Sequence, residues 1–364
     1  MRVAVIGLGN AARTLHLPAL AGIGGVEIVG GMDIDAARCQ EAKAKFAIPV
    51  FSEFDEMVAK TKPELILVGT LPDTHANYCL RSFAAGAHVL CEKPFVSSLA
   101  EADQVLAAAR SSNRRIALNH DFREMSIFRA VLDAAHSGDT GGLVFAQVWQ
   151  LMDLPGWAEP GWRGQMLNRT LFEAGVHLVD FILALFGERP IAVDARTSNC
   201  GMHASESDAV ALVTLEFSRG RLAQITQNRL CKGETQYFEV RADTERASLR
   251  ASYGGRARIL AGLFRSSRPS LRIEYGVSGT AWRERAGRRE LLARNPKNSP
   301  MLATRRLIEH TLNAFREGSE PPVSGEVGRD VIAVIAAAYR SAATGKRSVL
   351  DKALLAELHD VRLG

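Results

Sequence analysis

Short apolar runs alternate with helical patterns through the first third of the chain. Runs rich in Val, Ile and Leu predict β-strands. They are RVAVIG (2–7), VEIVGG (26–31), ELILVGT (64–70), AHVLCE (87–92) and RRIALN (114–119). Strands that alternate with helices of ordinary length predict a parallel sheet with helices on both faces, which is a doubly wound α/β domain.

The residues between these runs include helix boundaries of the expected kind. Ser98 precedes an apolar helical pattern and Glu101 follows three residues later, which predicts an N-cap with a capping box. Gly86 stands just past THANYCLRSFAA, where a C-terminal glycine belongs. A last helical pattern covers residues 328–345 and ends on Gly345.

The pattern changes after about residue 120. Strand-like runs such as GLVFAQVWQL, AVALVTLEF and RLAQITQ now follow one another with short gaps, and EFSRGRLAQ with Gly220 predicts a hairpin. A mostly antiparallel sheet fits this spacing. We therefore predict a doubly wound domain over residues 1–120 and an α+β domain over residues 121–364.

One helical pattern, NRTLFEAGVHLVDFILALFG (168–187), is apolar on almost every side. Glu173, His177 and Asp180 nevertheless fall at i, i+4 and i+7, on one face of an α-helix. An apolar helix should be buried, and buried charge is costly unless it has partners. The stripe therefore predicts either a satisfied polar network between two domains or a functional site.

Composition narrows the class of protein. The chain has 364 residues, enough for two domains, and its net charge of +5 is too weak to indicate nucleic-acid binding. No apolar run reaches the roughly 18 residues of a membrane span. Five cysteines in no CxxC or metal-ligand spacing, and no secretion signal, predict free thiols and a cytoplasmic location.

Residues 256–306 are strongly basic, with thirteen Arg or Lys against three acids. One interpretation is a solvated surface excursion. The alternative is a rim that binds a phosphate or carboxylate group.

A glycine-rich turn follows the first strand. Gly7, Gly9 and Ala12 fit G-x-G-x-x-[GA], in which the first glycine allows a tight turn and the second lets a pyrophosphate approach the helix end. Asp33 follows the second strand, where an acid binds the adenosine ribose and favours NAD over NADP, although nearby Arg38 weakens that preference. A doubly wound domain without a dinucleotide is the alternative.

A lysine lies at a second strand end. Lys93 in VLCEKPF follows the fourth predicted strand, and TLPDTHANYC follows the third. Ligands of open parallel sheets bind beyond these carboxyl ends. Pro94 keeps Lys93 out of helical geometry, so we predict an extended loop with Lys93 beside the cofactor.

These segments together resemble the glucose–fructose oxidoreductase / inositol dehydrogenase / MocA (Gfo/Idh/MocA) family. The landmarks are GLGNAARTLHLPAL, TLPDTHANYC, CEKPF, GWRGQ and EAGVHLVD. The resemblance implies an N-terminal Rossmann domain and a C-terminal domain with a large, mostly antiparallel sheet that forms homodimers or homotetramers. It also implies a nicotinamide dinucleotide and a sugar, cyclitol or sugar derivative as substrate, with no nucleic-acid or membrane partner.

The same resemblance places the family's site residues. The lysine of E-K-P falls on Lys93, and the acid and histidine of D-x-x-x-H fall on Glu173 and His177. Two departures lie on the substrate side: Glu173 replaces the usual Asp, and the glycine-rich run before it is replaced by residues 168–170 (Asn-Arg-Thr).

We hypothesise that His177 is the general acid/base and that Lys93 orients and polarises the substrate oxygen. Glu173 would bind hydroxyls or tune the pKa of His177, Asp180 would be structural, and Gly175 would let cofactor or substrate approach the helix. Predicted NAD-binding residues, with NADP as a second option, are Gly7, Gly9, Asn10, Ala11, Ala12, Asp33, Thr70, Leu71, Pro72, His75, Glu92, Lys93 and Asn119. Predicted substrate-binding residues are Lys93, Arg123, Trp162, Arg163, Asn168, Glu173 and His177, with Trp157 as a further pocket residue. His16 is assigned no role.

Other functions remain open at this point. A metal site could use the acids and histidine of the stripe, but no second histidine cluster or H-x-x-x-H supports it. A non-catalytic dinucleotide sensor would be expected to lose Lys93 or His177. An NADPH-dependent reductase of an imine or another unsaturated non-sugar substrate is the alternative within the enzyme class.

Overall fold

The alternating runs form a parallel six-stranded sheet in the order β3-β2-β1-β4-β5-β6. The structure is a computed structural model that describes residues 1–153, 162–202, 206–233, 236–254, 258–262, 270–274 and 279–364. The strands are β1 (Arg2–Ile6), β2 (Glu27–Met32), β3 (Val50–Phe51), β4 (Leu65–Val68), β5 (His88–Cys91) and β6 (Ile116–Leu118). All five predicted strands are confirmed. The strand β3 was missed because two residues show no periodicity.

Helices connect these strands, and their ends follow the predicted residues. A π-helical turn (Ala12–His16) leads into α1 (Leu17–Ala21), followed by α2 (Ala36–Phe46), α3 (Phe54–Thr61), α4 (Pro72–Ala84) and α5 (Leu99–Ser111). Ser98 Oγ accepts a hydrogen bond from the Glu101 N–H at 3.2 Å. The Glu101 carboxylate accepts from the N–H of Ser97 rather than Ser98. Gly86 has a φ of +81° just beyond α4, as predicted.

The second half forms a nine-stranded sheet in the order β16-β15-β12-β11-β7-β10-β9-β8-β17. Its strand neighbours are antiparallel except β7 and β10, which are parallel. The strands are β7 (Leu143–Leu151), β8 (Ala192–Ser198), β9 (Val210–Glu216), β10 (Leu222–Asn228), β11 (Gln236–Thr244), β12 (Ser248–Tyr253), β13 (Arg258–Gly262), β14 (Ser270–Glu274), β15 (Thr280–Arg285), β16 (Arg288–Arg294) and β17 (Ser348–Val349). The pair β13–β14 is a separate ribbon. The predicted hairpin joins β9 to β10 at Gly220.

Helices cover one face of this sheet. The second half contains α6 (Ser126–His136), α7 (Trp162–Gln165), a π-helical turn (Thr170–Gly175) that continues as α8 (Val176–Phe186), α9 (Ser299–Glu317), α10 (Gly325–Thr344) and α11 (Lys352–Glu357). Helices α6, α8 and α10 pack on the sheet, and α8 is almost wholly buried, as its composition predicts. The opposite face carries the exposed side chains Leu212 and Leu222.

Helix α9 returns to the first sheet. Its residues Ile308, Leu312 and Phe315 are buried in the same apolar cluster as Val3 and Leu67 of β1 and β4. The predicted division at residue 120 therefore separates the strands of the two sheets but not all of the core. In the described ranges, no helix is both long enough and apolar enough to cross a membrane.

Candidate active site

A pocket of about 360 Å³ lies where the first sheet meets the second half of the chain. It sits beyond the carboxyl ends of β5 and β6, where open parallel sheets bind ligands. The lining residues are Ala11, Leu15, Glu92, Lys93, Asn119, Asp121, Phe122, Met125, His177, Tyr237, Tyr253 and Pro300. The pocket therefore joins the predicted cofactor turn to the helix that carries His177.

The turn after β1 fits a dinucleotide. Gly7 has a φ of +83°, and a Cβ there would lie 2.4 Å from the carbonyl oxygen of Gly69. A Cβ on Gly9 would have no atom within 4 Å, so this side of the turn is open to a ligand. The predicted residues 10–12 follow at the start of the helix, whose free N–H groups favour a pyrophosphate.

Asp33 directly follows β2, as predicted, and is buried. Its Oδ2 accepts a hydrogen bond from the N–H of Leu8 at 2.8 Å, and its Oδ1 accepts one from the N–H of Asp35 at 2.9 Å. Arg38 Nη1 lies 3.6 Å from Oδ2. The carboxylate is thus fixed next to the glycine turn, with a cation beside it that moderates its negative charge.

The residues after β4 shape a loop. Thr70 and Leu71 connect β4 to α4, Pro72 begins that helix, and His75 lies in its first turn. The buried His75 ring has Nδ1 2.9 Å from the carbonyl oxygen of Pro94 and Nε2 3.2 Å from that of Thr70. Burial lowers the pKa of His75 despite these carbonyl contacts. The ring therefore fastens the loop after β4 to the loop after β5.

Glu92 is the centre of a buried hydrogen-bond network. Its Oε1 lies 2.6 Å from His16 Nε2 and accepts from Asn119 Nδ2 at 2.6 Å. Burial alone raises the pKa of Glu92, but the hydrogen bond and charge of His16, with Lys93 and Asn119, lower it to about 2. Sequence analysis missed the role of His16; its only indication was a polar ring on a buried helix.

Asn119 also has an unused acceptor. Its Oδ1 is buried and has no hydrogen-bond partner among the described residues. Since buried amides normally satisfy both ends, this oxygen fits a ligand donor such as a carboxamide. The open Gly9 turn, the fixed Asp33 and this oxygen together fit a nicotinamide dinucleotide.

The structure brings Lys93 and His177 to one pocket. Lys93 Nζ donates a hydrogen bond to the backbone oxygen of Glu173 at 3.2 Å, across 80 residues of sequence. This bond ties the loop after β5 to the π-helical turn before α8. The two side chains that the sequence hypothesis requires at one substrate oxygen therefore lie in the same cavity.

His177 is neutral in this environment. Its ring packs against Phe122, with centroids 4.4 Å apart, and meets the edge of His120 at 5.9 Å. Burial first, and then the charges of Lys93 and His120, hold the pKa of His177 well below its usual value. Its Nδ1 is buried without a hydrogen-bond partner among the described residues.

Asp180 belongs to a separate ion pair. Its carboxylate accepts hydrogen bonds from Arg123 Nε and Nη2, both at 2.6 Å. Asp180 is buried, and Arg123 is mostly so. The interpretation of Asp180 as structural fits this contact. Arg123, predicted to bind substrate, is instead engaged with Asp180 and does not line the pocket.

Glu173 also points to partners other than His177. Its Oε1 accepts from Arg163 Nε at 2.8 Å, and its Oε2 accepts from Arg169 Nε at 3.4 Å. Burial raises the pKa of Glu173, but the charges of Lys93 and of both arginines outweigh burial and lower this pKa. The charges that act on His177 are those of Lys93 and His120, so the predicted tuning by Glu173 finds no support.

Glu173, His177 and Asp180, the polar stripe of the sequence analysis, thus contact three different sets of partners. The turn at residues 170–175 is π-helical, so α-helical spacing does not hold across it. Among the described residues, no three His, Cys, Asp or Glu side chains are grouped to hold a metal ion.

The other predicted substrate residues lie away from the pocket lining or cannot be placed. Arg163 is half-exposed beside Glu173, and Asn168 precedes the π-helical turn. Trp157 and the side chain of Trp162 lie outside the described residues. A Cβ on Gly175 would meet Gln227 Oε1 at 2.6 Å, so this glycine allows close packing on β10 rather than approach of a ligand.

The basic segment contributes no described residue to the pocket lining other than Pro300. Within its described part, Arg283 pairs with Glu290 and Arg305 with Glu309. These contacts fit the surface interpretation; residues 256–257, 263–269 and 275–278 lie outside the described ranges.

Sequence analysis missed the aromatic and acidic wall of the pocket. Phe122 contacts Tyr237 and Tyr253 at centroid distances of 5.9 and 6.1 Å. Asp121 lines the same wall and is buried. These residues come from three distant segments with no shared motif, and the only indication was the position of NHDFRE at a strand end.

Comparison with known proteins agrees with this geometry. Residues 1–120 match a family model described as an oxidoreductase family with an NAD-binding Rossmann fold. Residues 128–248 match the GFO/IDH/MocA C-terminal domain.

Relatives match over nearly the whole chain. A 1,5-anhydro-D-fructose reductase from Ensifer adhaerens is 25% identical, covering 97% of this chain and 99% of the relative. A D-apiose dehydrogenase from Paraburkholderia graminis is 24% identical, covering 97% and 90%. The crystal structure of an oxidoreductase from Agrobacterium radiobacter in complex with NAD+, L-tartaric acid and magnesium has the same fold, with a TM-score of 0.81, 18% identity and coverage of 96% and 98%. The chain therefore belongs to the Gfo/Idh/MocA family and is an NAD(P)-dependent oxidoreductase with an NAD-binding Rossmann domain.

Proposed function

We propose that the protein transfers a hydride between a secondary alcohol carbon of a sugar, cyclitol or sugar derivative and a nicotinamide dinucleotide. The observation that carries this proposal is the convergence of Lys93 and His177 in one pocket beyond β5. When bound, the dinucleotide supplies the hydride acceptor or donor. The anhydrofructose reductase and the apiose dehydrogenase described above are named for reactions of sugars or sugar derivatives, which supports this substrate class.

Lys93 holds the reacting oxygen. An ammonium group has three N–H donors, and the bond to the Glu173 carbonyl uses one of them. The remaining donors and the positive charge stabilise alkoxide character as the alcohol is oxidised.

His177 takes the proton of the substrate hydroxyl. Its imidazole is neutral because burial and the charge of Lys93 oppose protonation, so an unprotonated ring nitrogen is available. A low pKa makes a weak base, and Lys93 compensates by lowering the pKa of the hydroxyl group that it binds. In reduction the same groups act in reverse.

The test is single-turnover reduction of NAD with a panel of cyclitols, aldoses, uronates and nucleotide sugars. We expect His177→Ala and Lys93→Met each to slow hydride transfer roughly 10²- to 10⁴-fold, the range of a general acid–base group, with NADH binding retained. Lys352→Met, an exposed change at the start of α11, is the control. Near wild-type hydride transfer in both pocket variants contradicts the mechanism. Tight NADH binding without turnover of any panel member favours a sensor.

We also propose that the open face of the nine-stranded sheet joins two copies of the chain. Leu212 and Leu222 lie on this face and are 47% and 42% exposed, unusual for leucines in central strands. Sedimentation velocity tests this: we expect Leu212→Glu with Leu222→Glu to give monomers, and Val361→Glu, which changes an exposed residue near the C-terminus, to remain associated. A wild-type monomer contradicts the proposal.

A further inference from the structure

Asp121 is a buried carboxyl group that the proposed mechanism does not use. It begins a 3-10 turn (Asp121–Glu124), which two residues separate from the end of β6, and lines the pocket with Lys93 and His177. It is 6% exposed. Its Oδ2 lies 2.9 Å from Thr304 Oγ1 on α9. This carboxyl group therefore lines the same pocket as Lys93 and His177, and the proposed mechanism gives it no part in proton transfer.

Thr304 is suited to either protonation state of this carboxyl group. Its Oγ1 lies 3.0 Å from the carbonyl oxygen of Pro300 as well as 2.9 Å from Asp121. A hydroxyl has one hydrogen, so it can donate to an ionised Asp121, or it can donate to the Pro300 carbonyl and accept a hydrogen bond from a protonated Asp121. The contact therefore persists when Asp121 changes its charge.

The surroundings of Asp121 favour the neutral form. Burial first, and then the negative charge of Glu92, raise the pKa of Asp121 to about 7, against the hydrogen bond of Thr304 and the charges of Lys93 and His16. The pKa values of the two carboxyl groups thus differ widely, since Glu92 stays ionised while Asp121 is held toward its neutral form.

The other groups that face Asp121 are uncharged near neutral pH. Burial raises the pKa of Tyr237 on β11 to about 12 and also raises that of Tyr253 on β12. Burial lowers the pKa of His177 and of the adjacent His120, so both rings are neutral.

The lining of the pocket has little positive charge. Lys93 is the only lysine or arginine among its described lining residues, and the proposed mechanism commits it to the reacting oxygen. A carboxylate or phosphate elsewhere on a substrate would meet no further lysine or arginine among the lining residues that the structure describes. It would instead meet Asp121, and the tyrosine and phenylalanine rings suit the apolar faces of an uncharged ring.

We propose that Asp121 determines substrate specificity: its carboxyl group hydrogen-bonds a hydroxyl of an uncharged sugar or polyol, away from the carbon that exchanges the hydride, and disfavours substrates that carry a carboxylate or phosphate. The inference rests on the proposed function and names its substrate class. Selection against anions increases with pH, because Asp121 becomes negative as pH rises through neutrality.

The kinetic test compares an aldose with its uronate at pH 6 and pH 8.5. For the wild type, we expect the ratio of kcat/KM values, aldose over uronate, to rise roughly 10-fold between these pH values, the scale of one charged contact. Asp121→Asn keeps the shape and hydrogen-bonding capacity but not the charge, so its ratio should not change with pH.

Asp121→Leu should raise KM for the aldose roughly 3- to 30-fold with a smaller effect on kcat. Asp133→Asn, an exposed change on α6, should behave as wild type. An Asp121→Asn enzyme with the wild-type pH dependence overturns the inference.

A second measurement needs no turnover. Infrared difference spectra of wild type against Asp121→Asn should show the absorption of one protonated carboxyl group that disappears as pH rises through neutrality. Absence of this band overturns the inference whatever the activity. If the wild type turns over no panel member, the proposed function fails, and calorimetric titration of the NADH complex replaces kinetics. Equal affinity for aldose and uronate, or no binding of either, then overturns the role of Asp121 as well.

Discussion

The cofactor side and the substrate side of the pocket are stabilised in different ways. On the cofactor side, Gly7, Asp33 and Glu92 are held by backbone geometry and hydrogen bonds. On the substrate side, contacts between rings surround Phe122 and position His177. Hydrogen-bonded geometry tolerates few residue types at each position, whereas aromatic packing accepts many. The two sides of the pocket therefore depend on different kinds of contact.

The largest expected effect on stability comes from a substitution at the tightest contact of the cofactor side, where Gly7 meets Gly69. Gly7→Ala places a methyl group 2.4 Å from the Gly69 oxygen at a positive φ, so we expect a loss of roughly 5 kcal/mol in the free energy of unfolding. Gly9→Ala meets no atom within 4 Å and should stay within about 0.5 kcal/mol of wild type, while NADH affinity falls. Chemical denaturation and NADH titration check both variants. Equal stability of the two would contradict the different roles given to these glycines.

The next effect tests whether an ion pair beside the substrate side is structural. Arg123→Met leaves the buried Asp180 carboxylate without its arginine, which should cost roughly 4 kcal/mol of stability. Lys60→Met breaks an exposed pair with Glu56 and should cost at most about 1 kcal/mol. Denaturation measures the stability, and hydride transfer by the folded fraction should survive in both variants. A stable Arg123→Met enzyme with abolished catalysis would instead support the original prediction that Arg123 binds substrate.

A third prediction compares the two buried carboxyl groups through the pH dependence of stability. The pKa of Glu92 falls to about 2 on folding, so its ionised form stabilises the fold above the ordinary carboxyl range, and this stabilisation is lost as pH falls toward 2. Glu92→Gln should therefore be less stable than wild type by roughly 2 to 3 kcal/mol at pH 7, with a smaller deficit at pH 4.

Asp121 should show the opposite slope. Its pKa rises to about 7 on folding, so the folded state binds a proton that the unfolded state releases between about pH 4 and pH 7. Wild type should lose stability relative to Asp121→Asn over that range, by roughly 3 to 4 kcal/mol for a pKa difference of about three units. Denaturation curves at pH 4, 6 and 8 check both carboxyl groups. Slopes of the same sign would show that the two environments do not differ as described.

The smallest effect concerns cofactor choice. Asp33→Ala removes the negative charge beside Arg38, so we expect the preference for NAD over NADP to fall about 10-fold, the scale of one charge-assisted hydrogen bond. The ratio of the two cofactor affinities, measured by titration, is the readout, and Asp55→Ala, an exposed change on α3, is the control. An unchanged ratio would remove Asp33 from cofactor discrimination.

The sequence predicted more of the cofactor side of the pocket than of the substrate side. The strands, Gly7, Asp33 and Lys93 are specified by local patterns, because turn geometry and strand ends depend on neighbouring residues. Partners that lie far apart in sequence could not be derived in this way. The His16–Glu92 contact spans 76 residues, and Tyr237 reaches Phe122 only once β11 lies in the second sheet.

The stripe at Glu173 shows a second limit. Glu173, His177 and Asp180 have α-helical spacing in the sequence. In the structure a π-helical turn interrupts that spacing, and each side chain contacts a different set of partners. Periodicity predicts which side of an ideal helix a residue occupies. It does not predict a π-helical turn or which charged group another segment will supply.

The return of α9 to the first sheet has a consequence for how this molecule can be divided. Ile308, Leu312 and Phe315 fill part of the apolar layer beneath the parallel strands, while Pro300 and Thr304 of the same helix reach the pocket and Asp121. A fragment of residues 1–120 would expose that layer to water and should aggregate. Helix α9 thus connects the core of the first sheet to the pocket, and we expect that neither half folds independently of the other.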